Sequence, residues 1–136
     1  METRLRVLLA DDHKAMQEKV KGLLSQAFDV VRVVANGQDL AEAAQELNPD
    51  ILVVDISMPV LNGIDAVRQI MSAGSKARVI FLTVHEDPDL VAVCLDAGAL
   101  GFVIKSRLAS DLIPAIKLAL TNQTFVSPTL PWEHDF

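Results

Sequence analysis

Five short apolar runs alternate with segments of helical period along this chain, and this alternation limits the fold more than any other feature. The runs are continuous rather than alternating in polarity, which is typical of parallel strands that are covered on both faces. The pattern predicts one α/β domain over 4–126, with a doubly wound, five-stranded parallel sheet and helices on both faces. The predicted strands are 5–10, 30–35, 51–55, 79–83 and 101–105.

The segments between the runs repeat apolar residues at helical spacing, which predicts five helices. The fourth is expected to open at Asp87, a good N-cap that proline follows in the first turn. The fifth has a proline, Pro114, which should fall in its first turn or just past it. The predicted helices run from Met16 to Phe28, Leu40 to Leu47, Ile64 to Met71, Asp87 to Gly98, and onward from about Ser110.

Length and composition suit a single globular domain with a short tail. The chain has 136 residues, of which 51% are apolar and 22% charged, an ordinary globular mixture. The last stretch, 127–136, has two prolines and no periodicity. We therefore expect it to be a tail or the start of a linker, with Trp132 exposed.

Charge and cysteine content exclude several classes of function. The net charge of −6 and a pI near 4.9 disfavour DNA binding by this chain alone. No apolar run approaches the ~20 residues of a membrane span, and the N-terminus does not resemble a signal peptide, so no membrane contact is expected. Cys94 is the only cysteine. It cannot form an internal disulfide, fits a reducing cytoplasmic location, and is expected to be a buried small hydrophobe.

Four of the five predicted strands end in a charged or hydroxyl residue. The first is followed by Asp11 and Asp12, the third ends in Asp55, the fourth in Thr83 and the fifth in Lys105. In doubly wound sheets the functional site lies at the carboxyl ends of the strands. Clustered carboxylates repel one another unless a cation joins them, and oxygen ligands suit Mg²⁺. A lysine and a hydroxyl beside them suit an anion, so the set points to phosphoryl chemistry.

The fragments at these strand ends resemble the receiver domain of two-component response regulators. They are "DDH" after the first strand, "DISMPVLNGID" around the third, "FLTVHED" at the fourth and "GALGFVIKS" at the fifth. The resemblance extends from residue 4 to about 126, and is strongest to the subfamily whose receivers usually precede a helix-turn-helix output domain. It implies a flavodoxin-like strand order, 2-1-3-4-5.

The resemblance also implies a phospho-acceptor and a metal site. Asp55 corresponds to the aspartate that accepts the phosphoryl group. Asp11 and Asp12 would hold Mg²⁺ together with Asp55 and the backbone carbonyl of Ser57.

Other positions of the family motif imply anion binding, switching and access to the site. Lys105 would pair with the phosphoryl oxygens, and Thr83 would hydrogen-bond one of them. Thr83 and Phe102 occupy the family's switch positions, although Phe102 could equally be a core aromatic. Val84 stands where a small residue is usual, and with His85 it would control access to the acceptor.

The resemblance implies a phosphorylation-controlled signalling switch. A sensor histidine kinase or phosphotransfer protein would donate the phosphoryl group, and the change would reach a surface of the fourth helix, fifth strand and fifth helix, a possible homodimer face. We expect the receiver part of a transcriptional response regulator, with no enzymatic activity beyond slow self-dephosphorylation.

Alternatives from other classes fit less well. An aspartate-nucleophile phosphatase would need its nucleophile after the first strand and a second aspartate two residues on, which Asp55 lacks. In a flavin mononucleotide carrier, Asp11 and Asp12 would repel the phosphate. A stand-alone single-domain receiver, or a degenerate receiver that acts only by protein–protein interaction, stays open.

Overall fold

The computed structural model describes residues 4–128, and within this range it has one six-stranded sheet, five α-helices and a single 3₁₀ turn at Lys105–Arg107. The strands are β1 (Arg6–Ala10), β2 (Asp29–Val34), β3 (Ile51–Asp55), β4 (Arg78–Thr83), β5 (Gly101–Ile104) and β6 (Phe125–Val126). The helices are α1 (Lys14–Leu24), α2 (Gly37–Leu47), α3 (Gly63–Ser72), α4 (Pro88–Asp96) and α5 (Leu108–Leu120).

All neighbouring strands pair in parallel, in the order β2-β1-β3-β4-β5-β6. The predicted parallel sheet and the order 2-1-3-4-5 are therefore confirmed. A sixth strand, β6, extends the sheet beyond β5, and it was not predicted because two residues are too few to show a period. The expectation for Trp132 lies outside the described residues.

Two apolar layers cover the two faces of the sheet. Successive strand residues point to opposite faces, so Leu8 joins one layer while Leu9 joins the other. The first layer takes residues from α2, α3 and α4, and the second from α1 and α5. Burying each large aliphatic or aromatic side chain contributes about 1.5–3 kcal/mol. This packing holds the carboxyl ends of the strands in fixed positions.

Side-chain caps set the starts of three helices. The side chains of Asn36, Asn62 and Asp87 accept hydrogen bonds from the first turns of α2, α3 and α4. Asp87 is thus the cap that the sequence predicts. Cys94 on α4 is fully buried, as expected, and this burial raises the pKa of its thiol to about 12. Within the described range, no helix combines the length and apolar character needed to cross a bilayer.

The boundaries of all five helices differ from those predicted by one to four residues, and the differences in the first and fifth helices affect the core and the site. The first helix ends at Leu24, and Phe28, placed in it by its apolar character, lies beyond the following turn and still packs in the core. The fifth helix begins at Leu108 rather than near Ser110, because the 3₁₀ turn leads directly into it. Pro114 therefore lies inside the helix. It cannot donate to the carbonyl of Ser110, which lies on an exposed residue where water can bind it.

Candidate functional site

The carboxyl ends of four neighbouring strands bring the predicted residues to one edge of the sheet. Asp11 follows β1, Asp55 ends β3, Thr83 ends β4 and Lys105 follows β5. These strands are adjacent and parallel, so their ends meet at the same edge. All four residues are buried, which is costly for charged groups unless they compensate one another.

Lys105 lies between two buried carboxylates. Its Nζ is 3.0 Å from Oδ2 of Asp11 and 3.3 Å from Oδ1 of Asp55. Oδ2 of Asp11 is buried and accepts no well-aligned hydrogen bond from the described residues, so its contact with the ammonium is an ion pair. One positive charge faces two negative charges, and the pocket keeps a net negative charge that favours a cation.

The electrostatics of Asp55 follow from burial. Removal from water raises the pKa of its carboxyl group, and the negative charge of Asp11 raises it further. The charge of Lys105 and the hydrogen bond that the Ser57 N–H donates to Oδ1 at 3.2 Å act in the opposite direction. Burial prevails. The ionised form of Asp55 is therefore less stable here than in water, and a neighbouring cation would stabilise it.

A group of potential ligands surrounds this edge. Oxygens of Asp11, Asp12 and Asp55 and a ring nitrogen of His13 all lie within 4.8 Å of one another. The carboxylate oxygens fit Mg²⁺, which prefers oxygen ligands, and among the described residues the buried Oδ2 of Asp11 accepts no well-aligned hydrogen bond. His13 was not among the predicted site residues. Its Nδ1 lies 3.0 Å from Oδ1 of Asp12, and the only sequence signal for it is its place next to the two aspartates.

The loop after β3 leads into the start of α3, which comes close to the end of β3. A Cβ at Gly63 would lie 2.3 Å from the backbone oxygen of Asp55, so only glycine permits this approach. Ser57 and Met58 from the same loop line an open groove of about 670 Å³, which Asp12 also borders. The groove opens beside Asp12, which is exposed, while Asp11 and Asp55 are buried and do not line it.

The predicted switch and access residues occupy different surroundings. Thr83 is buried, and its Oγ1 accepts a hydrogen bond from the N–H of His85 at 3.0 Å. Val84 is 68% exposed and His85 is exposed too, so both lie on the surface beside the end of β4. Phe102 is buried in the core layer with Phe81. This placement accounts for Phe102 as a core aromatic, and a switching role stays a proposal.

Comparison with known proteins shows which family the chain as a whole is similar to. A family model described as response regulator receiver domain matches residues 7–117. The transcriptional regulatory protein DegU of Brevibacillus brevis is 31% identical over 129 residues, which are 93% of this chain and 55% of DegU. PdtaR of Mycobacterium tuberculosis is 36% identical over 118 residues, which are 86% of this chain and 57% of PdtaR. A LuxR-family response regulator structure from Aurantimonas sp. SI85-9A1 has a TM-score of 0.87 at 30% identity, covering 93% of this chain and 91% of that one.

Proposed function

Because the chain belongs to the response regulator receiver domain family, we propose that it is a phosphorylation-controlled switch whose phospho-acceptor is Asp55. The observation that carries this proposal is the placement of Lys105 between Asp11 and Asp55 at the edge of the sheet. A structural ion pair would need one carboxylate. A lysine that faces two carboxylates, at the same edge of the sheet where β4 ends in Thr83, is suited to an incoming phosphoryl group.

In the proposed reaction, an oxygen of Asp55 attacks the phosphorus of a phosphohistidine on a sensor kinase or phosphotransfer protein. The P–O bond forms as the P–N bond breaks, and the imidazole leaves. Lys105 stabilises charge on the phosphoryl oxygens, and Thr83 donates a hydrogen bond to one of them. Val84 and His85 border the approach to Asp55 and would limit access for the donor and for water.

Mg²⁺ is the proposed cofactor. Asp11, Asp12, Asp55 and the backbone carbonyl of Ser57 would hold it, and the ion would neutralise charge on the phosphoryl oxygens. Two features support this assignment: the oxygen-rich set of possible ligands, and the buried Oδ2 of Asp11, which accepts no well-aligned hydrogen bond within residues 4–128.

The proposed output is a change in partner binding. On phosphorylation, Thr83 and Phe102 would move toward the phosphoryl group. This movement would change the conformation of the surface formed by α4, β5 and α5, which is also a possible homodimer face. Couplings of this kind are typically about 1–3 kcal/mol, enough to change an affinity without refolding the domain.

The wider role rests on the relatives. The chain spans somewhat more than half the length of DegU and PdtaR, at 55% and 57%, and both are named transcriptional regulatory proteins. We therefore propose that it acts as the cytoplasmic receiver part of a transcriptional response regulator, without DNA binding or enzymatic turnover of its own beyond slow self-dephosphorylation. A stand-alone receiver is the alternative, and the length of the full reading frame distinguishes the two.

Incubation with acetyl phosphate and Mg²⁺, followed by intact mass measurement, tests the chemistry. We expect one phosphoryl adduct that needs Mg²⁺, and none on Asp55→Asn. Asp29→Asn, an exposed aspartate at the start of β2, is the matched control and should label like the parent. Equal labelling of Asp55→Asn would refute the acceptor assignment. No labelling of any chain would favour a degenerate receiver that only binds partners.

A further inference from the structure

A second buried carboxylate lies behind the candidate site. Asp111, in the first turn of α5, is 4% exposed and accepts hydrogen bonds from three side chains. The hydroxyl of Ser127 donates at 2.7 Å, that of Ser110 at 2.9 Å, and Nε of Arg107 at 2.8 Å. Ser127 is fully buried, and its Oγ also accepts from the N–H of Ile104 at 3.1 Å. We call Asp111, Arg107, Ser127 and Ile104 the Asp111 cluster.

The Asp111 cluster holds the chain on both sides of Lys105. Ile104 directly precedes Lys105, and its amide is tied to Asp111 through Ser127. Arg107 lies two residues after Lys105, at the end of the 3₁₀ turn, and its guanidinium is tied to Asp111 directly. One carboxylate is thus linked to the residues on both sides of the lysine, through the backbone N–H of Ile104 and the side chain of Arg107.

The Asp111 cluster favours an ionised carboxylate despite its burial. Burial alone would raise the pKa of Asp111, but hydrogen bonds from Ser127, Arg107 and Ser110 and the charge of Arg107 outweigh it, and the pKa is lowered. A carboxylate that stays ionised is the stronger acceptor for both links to the lysine-bearing turn.

We propose that Asp111 is a positioning residue for Lys105, holding the turn at 104–107 so that the ammonium stays between Asp11 and Asp55. This inference rests on the proposed function, since it assigns to Lys105 a role in phosphoryl transfer. Transfer depends steeply on geometry, and a displacement of ~1 Å can lower a rate about a hundredfold. Asp111 need not touch the phosphoryl group to affect its transfer.

Three single variants test the inference in the full chain. Asp111→Asn removes the charge and one acceptor, and Ser127→Ala removes the link to Ile104. Both should slow labelling by acetyl phosphate, about tenfold or more. Thr121→Ala is the matched control, because it removes a hydroxyl that donates to the carbonyl of Leu118 at the other end of α5 and leaves both links to the turn in place. Its labelling rate should stay close to that of the parent.

Combination with Lys105→Met separates positioning from general destabilisation. If Asp111 acts through Lys105, Asp111→Asn should slow labelling far less in the Lys105→Met chain than in the parent. The same cycle measured by urea unfolding should be non-additive. Once Asp111→Asn has displaced Lys105 from the two carboxylates, Lys105→Met should cost less free energy of unfolding than it does in the parent. Additive effects in the cycle, or equal rates for Asp111→Asn and Thr121→Ala, would overturn the inference.

The unfolding cycle does not need phosphorylation. If the parent is not labelled, the proposed function fails, while the coupling between Asp111 and Lys105 still shows whether the Asp111 cluster positions the lysine. If the parent is labelled and the coupling is zero, the proposed function stands and the positioning role is wrong.

Discussion

Replacement of Lys105 by methionine tests the electrostatic account of the site most directly. Methionine is similar in length and keeps the apolar stem, but it removes the charge that lies 3.0 Å from Asp11 and 3.3 Å from Asp55. Both carboxylates are buried, so neither can regain full hydration. The substitution therefore leaves two buried negative charges that repel each other.

The expected loss of stability can be estimated from these distances. At an effective dielectric constant of about 20, each contact is worth roughly 5 kcal/mol of Coulomb energy before desolvation is subtracted. Removing one partner of a buried pair usually costs about 3–5 kcal/mol. Proton uptake by a carboxylate limits the loss, so we expect about 3 kcal/mol at neutral pH without Mg²⁺. For a chain of 136 residues this lowers the melting temperature by roughly 10 °C.

The stability loss caused by Lys105→Met should depend on pH, and its direction follows from the pKa of Asp55. In the variant, the carboxyl groups lose their cation, and the pKa of Asp55, already raised by burial, rises further in the folded state. The penalty is full above that raised folded-state pKa and is relieved as the pH falls through it toward the value of the unfolded chain. The difference between Lys105→Met and the parent should thus shrink between neutral pH and about pH 4.

Urea unfolding at several pH values, with and without Mg²⁺, measures these quantities. Lys76→Met, which changes an exposed lysine before β4, is the control and should alter the free energy of unfolding by no more than about 0.5 kcal/mol. Mg²⁺ should restore part of the loss in Lys105→Met. A loss that is the same at every pH would mean that the lysine acts by packing, and no loss would refute the ion-pair account.

Three further outcomes are expected. Mg²⁺ should raise the melting temperature of the parent, because it relieves carboxylate repulsion in the folded state only, and Asp12→Ala should lose most of that response; an unchanged response would count against the metal site. Val84→Ala should speed both labelling by acetyl phosphate and hydrolysis of the adduct. The melting temperature should change little, because Val84 is 68% exposed. Unaltered rates would mean that Val84 does not restrict access to Asp55. Val60→Gly should raise the free energy of unfolding by roughly 1 kcal/mol, because Val60 is 83% exposed and has a φ of 69°, a left-handed value that strains a β-branched residue; a decrease in urea unfolding would contradict this.

The sheet could be predicted from sequence because parallel strands covered on both faces leave continuous apolar runs. The run at 51–55 coincides with β3, and the other predicted strands agree with the structure within one residue at each end. Short elements without a period could not be predicted. The turn at Lys105–Arg107 has three residues and β6 has two. Omission of the turn displaced the predicted start of α5.

The meeting of the four strand ends was predictable for a related reason. Topology alone brings the ends of adjacent parallel strands together, so the sequence alone predicts that Asp11, Asp55 and Lys105 lie close to one another. Contacts that depend on tertiary packing could not be predicted from the sequence. In the sequence Asp111 looks like an ordinary polar residue early in a helix, and Ser127 falls in a stretch without periodicity. Only their burial against β5 makes them partners.

The charges at the edge of the sheet explain why phosphorylation and metal binding should depend on each other. Asp11 and Asp55 carry two negative charges against the single positive charge of Lys105, and Asp12 adds a third. A phosphoryl group carries about −1.5 to −2 at neutral pH, and it replaces one charge on Asp55, so the adduct makes the site more negative still. Lys105 alone cannot offset this. A divalent cation bound by the same carboxylates can, and by linkage each should bind more tightly in the presence of the other.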